Sequence, residues 1–172
     1  MQNEALPLGP AVKELARKIA GLEPGALAEL RRDSAPEGST AFWRLWHSMT
    51  LPYPNSPWES LARIIAVLTP TGRSEGKPSA YNADRSFGQA LYDAGVSDLR
   101  FSRLMATKPD ERRRALLRLA RVLAQNEARF NLHHLACLIL FDQVDSQKRQ
   151  VAKDYFNAEA KSNKSQKDTQ NA

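Results

Sequence analysis

The chain has 172 residues, of which 42% are hydrophobic and 26% charged, a balance that predicts one folded, soluble domain. Ala and Leu supply 45 residues and Val, Ile and Thr together only 16, which favours helix and argues against a protein built on sheet. Twenty-five basic side chains against 19 acidic ones leave a net charge of +6, which points to an anionic partner, nucleic acid before others, with a merely soluble basic protein as the plain alternative.

Residues 1–10 read as a loose leader. Val12, Leu15, Ala16, Ile19 and Leu22 then recur at helical spacing, and Gly21 with the Pro24-Gly25 pair breaks that first helix. A short second helix is predicted over residues 26–32, its two closing arginines suiting the negative end of the helix dipole. Pro36 and Gly38 make the next stretch a loop. A third helix is predicted over Thr40–His47, given bulk by Phe42, Trp43, Leu45 and Trp46. Pro52 and Pro54 hold the following segment extended. Ser56-Pro57-Trp58-Glu59 is a helix start, with Ser56 as cap, Pro57 in the first turn and Glu59 closing a capping box. Leu61, Ile64, Ile65 and Leu68 form the buried stripe of that fourth helix.

Residues 69–83 make one long internal loop, of a length that is usually functional or disordered. Ser86 caps a fifth helix that Gly95 stops, Ser97 caps a sixth, and Pro109 opens the longest one, to about Asn126. A nearly all-apolar helix is expected over residues 131–141 and a last one over residues 146–160. Residues 161–172 have no apolar side chain before Ala172 and read as a disordered tail. The expected fold is thus all-α, a bundle of about nine helices with no sheet. It forms a single helical domain over residues 11–160, or two packed subdomains of about 11–95 and 96–160.

The longest apolar run, residues 135–141, is too short for a membrane span, and no basic-then-apolar signal segment opens the chain, so a cytoplasmic location is expected. A lone Cys137 excludes an internal disulfide and a multi-cysteine zinc site, and its place in an apolar helix makes it an inert core residue. His133 and His134 are adjacent, point about 100° apart on a helix and cannot converge on one metal; one is expected to pack and the other to face water. The stretch Gly72-Arg73-Ser74-Glu75-Gly76-Lys77 only faintly resembles a phosphate loop. It has three residues between the glycines, Pro78 after the lysine and no preceding strand. No nucleophile elbow or paired-carboxylate motif stands out, so no catalytic residue and no cofactor is assigned.

The positive signal is arginine placement. Residues 97–130 carry Arg100, Arg103, Lys108, Arg112, Arg113, Arg114, Arg118, Arg121 and Arg129 against Asp98, Asp110, Glu111 and Glu127. On the long helix, Leu116, Leu119, Ala120 and Leu123 share one face and Arg114, Arg118 and Arg121 the opposite one. Arg114 has Asp110 four residues earlier, whereas Arg118 and Arg121 have no carboxylate three or four residues away on their own helix. Arginine's planar fork of donors suits phosphates; a solvated basic face is the plain alternative. At least two of Trp43, Trp46 and Trp58 are expected in the core.

Five pieces in order carry a family resemblance. They are Ala28-Glu29-Leu30-Arg31-Arg32, Ala41-Phe42-Trp43-Arg44-Leu45, Ser86-Phe87-Gly88-Gln89-Ala90-Leu91, the eight residues from Ser97 to Leu104, and Leu119-Ala120-Arg121-Val122-Leu123. With the length and the basic helix, they make the chain resemble the CasB family, the small subunit of the type I-E CRISPR Cascade surveillance complex. The chain departs from the family pattern at Asp98, Ala120 and Phe141. The resemblance implies a non-catalytic, all-helical part of an antiviral complex, without cofactor or membrane contact. Its implied partners are other Cascade subunits, a second copy of itself, CRISPR RNA and target DNA including the displaced single strand. Cutting is left to a separate helicase-nuclease. By matching positions the resemblance makes Arg31, Arg32, Arg44, Arg100, Arg103 and Arg121 nucleic-acid-binding candidates; Arg114 and Arg118 enter from the helix face alone. Apart from the resemblance, the residues also allow a stand-alone helical DNA-binding regulator and, after it, an adaptor for an acidic protein partner.

Overall fold

The computed structural model describes residues 7–32, 39–53, 57–70 and 79–170. Among them are nine helices: α1 (Leu8–Ala20), α2 (Pro24–Arg31), α3 (Thr40–His47), α4 (Trp58–Leu68), α5 (Phe87–Asp93), α6 (Asp98–Ala106), α7 (Pro109–Gln125), α8 (His133–Leu140) and α9 (Asp145–Gln170). The described residues form no strand; one isolated parallel bridge joins Tyr81 to Phe130.

The helix starts follow local chemistry. The hydroxyls of Ser39, Ser86 and Ser97 accept from the backbone N–H groups of Phe42, Gln89 and Arg100 at 3.0, 3.2 and 3.5 Å. Pro24 and Pro109 stand at first helical positions, where no N–H is needed. Gly95 ends the α5 turn at φ 75, a conformation that side-chain-bearing residues avoid.

Several boundaries differ from expectation, among them the start of α8, at His133 instead of residue 131. α1 begins at Leu8 and absorbs Gly9 and Pro10, because a proline in the first turn forfeits no intrahelical bond. α2 begins at Pro24 instead of residue 26. α4 begins at Trp58 with Pro57 at the cap position, and the proposed Ser56 cap lies outside the described residues. α9 does not stop near residue 160 but continues to Gln170. Lys and Gln are good helix formers, and elongation from a packed helix avoids the cost of nucleation. The phosphate-loop lookalike at residues 72–77 also lies outside the described residues.

One cluster of buried side chains runs from Ala11 on α1 to Tyr155 on α9. α4 sits at its centre, buries Trp58, Leu61, Ala62, Ile64, Ile65, Ala66 and Leu68, and packs on α1, α2, α7 and α8. α8 is apolar all round, and every side chain from Leu135 to Leu140 is buried, as its uninterrupted composition requires. α5 crosses α9 at Gly88, where an added Cβ would stand 2.7 Å from the backbone nitrogen of Tyr155. Tyr155 stacks on Phe101 at 4.3 Å, and its hydroxyl donates to the Val96 carbonyl at 2.6 Å with Asp98 Oδ1 at 3.0 Å. Burial first, then the Asp98 carboxylate, pushes that phenol up to about 12.

Candidate nucleic-acid interface

The arginines divide into two groups. The first is tied to main-chain carbonyls. Arg31 donates through Nε to Ala66 O at 2.8 Å and through Nη2 to Thr69 O at 2.6 Å, closing the C-terminal end of α4. Arg112 is 1% exposed and donates to Leu138 O at 2.9 Å, Phe141 O at 3.0 Å and Thr107 O at 3.3 Å. Arg113 donates to Ile139 O at 2.9 Å and pairs with Asp110 at 2.6 Å and Asp142 at 3.3 Å. Together the last two close the end of α8. Burial lowers the guanidinium of Arg31, and burial with the neighbouring Arg113 lowers that of Arg112. Arg129 donates to Ser79 O at 2.9 Å and fixes the entry of the segment before α5.

The second group faces water. Arg32 follows α2, Arg44 lies on α3, Arg100 and Arg103 on α6, and Arg114, Arg118 and Arg121 on α7, all exposed. α6 packs on α7 and α2 packs on α3, so the structure brings Arg100 and Arg103 onto a helix next to the α7 row and sets Arg32 and Arg44 on a separate helix pair. Arg114 and Arg118 have no hydrogen-bond or ion-pair partner among the described residues, whereas Arg121 is engaged in a contact within the chain. Arg44 opens on a groove of about 460 Å³ between α1, α2 and α3, whose other charged walls are Lys18, Glu23 and Glu29. Mixed walls of this kind select neither sign of charge.

Arg31 is therefore the candidate whose fork the fold itself uses. On α7 the buried side chains are Arg112, Leu116, Ala120 and Leu123, while Leu119, expected on that face, is only half-buried. A signal for Arg112 was present: it stands four residues before Leu116, on the face that Leu116, Ala120 and Leu123 bury. Of the tryptophans, Trp58 is buried and donates to Pro52 O at 2.8 Å, Trp46 is half-buried and Trp43 is 53% exposed.

Two further sets of cations emerge only from the fold. Arg63 on α4 lies between Ala62 and Ile64 in a mostly buried helix. Arg149, Lys153, Lys164 and Lys167 lie exposed within about 60° of each other on α9, opposite Val151 and Tyr155. The second set becomes a row only because α9 runs on past residue 160.

Cys137 is buried, and desolvation pushes its thiol up to about 11, so it stays protonated. His133 and His134 are both half-buried, not one in and one out. The His133 ring nitrogen lies 3.7 Å from the Cys137 sulfur, and burial lowers the His134 imidazole. No group of three His, Cys, Asp or Glu side chains comes together among the described residues. No described helix is long and apolar enough to cross a membrane.

Comparison with known proteins matches the chain to a family model described as CRISPR-associated protein Cse2, over residues 26–156. No curated protein and no solved structure matches. The matched span runs from α2 into α9 and contains every candidate arginine. The chain therefore belongs to the Cse2 family, the CasB small subunits of the type I-E CRISPR Cascade complex.

Proposed function

We propose that this Cascade subunit holds nucleic acid by its backbone, through the arginines that its fold leaves exposed. The observation that carries the reading is the α7 row. Arg114 and Arg118 project from a helix whose opposite face is locked by Leu116, Ala120 and Leu123, and nothing among the described residues neutralises them. A row of guanidiniums on a packed helix makes phosphate contacts without reading bases. In RNA-guided complexes base pairing reads the sequence, which leaves the protein to hold the backbone and the displaced strand. The ligands on this reading are CRISPR RNA, target DNA and the opened single strand. The partners are the other Cascade subunits and a second copy of this chain, and the role is non-catalytic.

Salt dependence tests the reading. Titrate wild type and the Arg114→Ala/Arg118→Ala chain with a labelled single-stranded oligonucleotide at several salt concentrations. The slope of log K against log salt should shrink by about 0.7 for each lost phosphate contact. Two unrelated oligonucleotides should bind wild type within a few-fold of each other. An unchanged slope in the double variant would make the row a solvated face only. A preference above about a hundredfold would show a sequence reader instead.

A further inference from the structure

Between α4 and α7 lies a cavity of about 110 Å³ lined by Ser60, Arg63, Ile64, Arg113, Arg114 and Leu117. Three arginines meet there beside Ile64 and Leu117, an arrangement that like-charge repulsion opposes. Arg113 is answered by Asp110, Asp142 and the Ile139 carbonyl. The other two are not. Arg114 has no partner among the described residues, and Arg63 meets Glu59 only at 3.8 Å. The Nε of Arg63 is shut off from water with no acceptor, the only side-chain atom so placed among the described residues. That nitrogen borders no open space, so the terminal nitrogens of Arg63 are the ones left for an anion in the cavity.

The chemistry of such a ligand follows from the lining. Arg63, Arg114 and the Ser60 hydroxyl offer donors, and the nearby carboxylates of Asp110 and Asp142 are already paired to Arg113. The Glu59 carboxylate, one-third exposed, is held loosely enough to turn to water when an anion enters. A cavity this small lies well below the size of drug-like sites and suits a single tetrahedral oxyanion, which two arginine forks hold well. Arg114 also stands one turn before Arg118, so whatever fills the cavity lies at the head of the exposed row.

We propose that the α4–α7 cavity is a phosphate-binding site, with Arg63 and Arg114 as its principal donors, and that it anchors one backbone phosphate at the head of the α7 row. The first half stands on the cavity alone; the second rests on the nucleic-acid reading above.

The experiment has two arms. In the first, the full chain is melted in inorganic phosphate and in sodium chloride at equal ionic strength. Phosphate should raise Tm beyond chloride. Arg63→Gln and Arg114→Gln should each lose the difference, and Arg17→Gln, an exposed arginine paired to Glu14 on α1, should keep it. No phosphate-specific rise in wild type, or a rise that survives both cavity substitutions, overturns the site. Should Arg63→Gln fail to fold, the exposed Arg114→Gln decides alone.

In the second arm, an oligonucleotide is titrated into wild type and Arg114→Gln, with and without inorganic phosphate at fixed ionic strength. The variant should bind about tenfold more weakly, the scale of one lost charge-assisted contact. Free phosphate should compete in wild type and not in the variant. A phosphate-specific Tm rise together with unaltered oligonucleotide binding in Arg114→Gln would make free phosphate the ligand and overturn the anchoring role. No oligonucleotide binding by wild type at all would sink the nucleic-acid reading and the anchor with it, and would leave the phosphate site standing.

Discussion

Arg112 is the side chain on which the C-terminal half of the fold turns. A guanidinium at 1% exposure is costly to desolvate, and here three main-chain carbonyls that would otherwise lack donors offset the cost. It does for α8 what Arg31 does for α4: it satisfies carbonyls at a partly buried helix end. Replacing it with alanine removes the donors and leaves a void where the side chain lay. Arg112→Ala should therefore lose roughly 3 kcal/mol of stability, a fall of about 6–12 °C in Tm for a domain of this size. Arg118→Ala, six residues along on the outer face, should stay within about 0.5 kcal/mol. Thermal or urea denaturation of the two variants measures both. Equal, small effects would mean that water takes over the carbonyls and that Arg112 is no keystone.

At the scale of elements, α5 packs closely on α9, and the approach depends on Gly88. A Cβ there would stand 2.7 Å from Tyr155 N and 2.8 Å from Asp154 Cβ, with the Val151 carbonyl oxygen nearer still. Two of those three atoms are backbone, so relief requires the helices to move apart and the Phe101–Tyr155 stack to loosen. Gly88→Ala should cost about 1–3 kcal/mol through overpacking, although alanine is by itself the better helix former. Gly25→Ala on α2, where nothing lies within 4 Å, should be neutral or slightly stabilising. Melting curves compare them, and a Gly88→Ala chain that melts with wild type would show that the crossing yields easily.

This scale also shows what a sequence can and cannot disclose. The caps at Ser86 and Ser97, the Pro109 start and the fully apolar α8 are local features, legible because each depends on residues within one turn. Arg31 looked like a surface arginine closing α2, because its acceptors are 35 and 38 residues away and no local pattern reports them. Arg112 was legible from its register with Leu116, but a run of three arginines reads first as charge. The phosphate cavity needs Arg63 beside Arg114, a pairing that only the packing of α4 on α7 creates. The exposed face of α7 was legible for the opposite reason: periodicity alone determines which side chains a buried stripe leaves outside.

Taken whole, the molecule separates where its charge sits from what holds it together. Arg31, Arg112, Arg113 and Arg129 serve main-chain carbonyls, while the exposed surplus lies on α6, on α7 and along the outer face of α9. The far end of α9 makes the separation testable. From Ala160 to Thr169 no side chain of that helix is buried, yet residues 161–172 carry Lys161, Lys164 and Lys167 against Asp168 alone, a net +2 of the chain's +6. Deleting residues 161–172 should thus move Tm by less than about 2 °C, since little packing is lost. The same deletion should weaken oligonucleotide binding at low salt by a small factor, through lost long-range attraction. That difference should fade as salt rises, because the screening length shrinks from about 30 Å at 0.01 M to about 10 Å at 0.1 M. A fall in Tm above about 4 °C would place the end of α9 in the folding core, contrary to its exposure. A binding defect that persists at high salt would mean that its lysines touch the ligand directly, and the contact surface would then extend from α7 to α9.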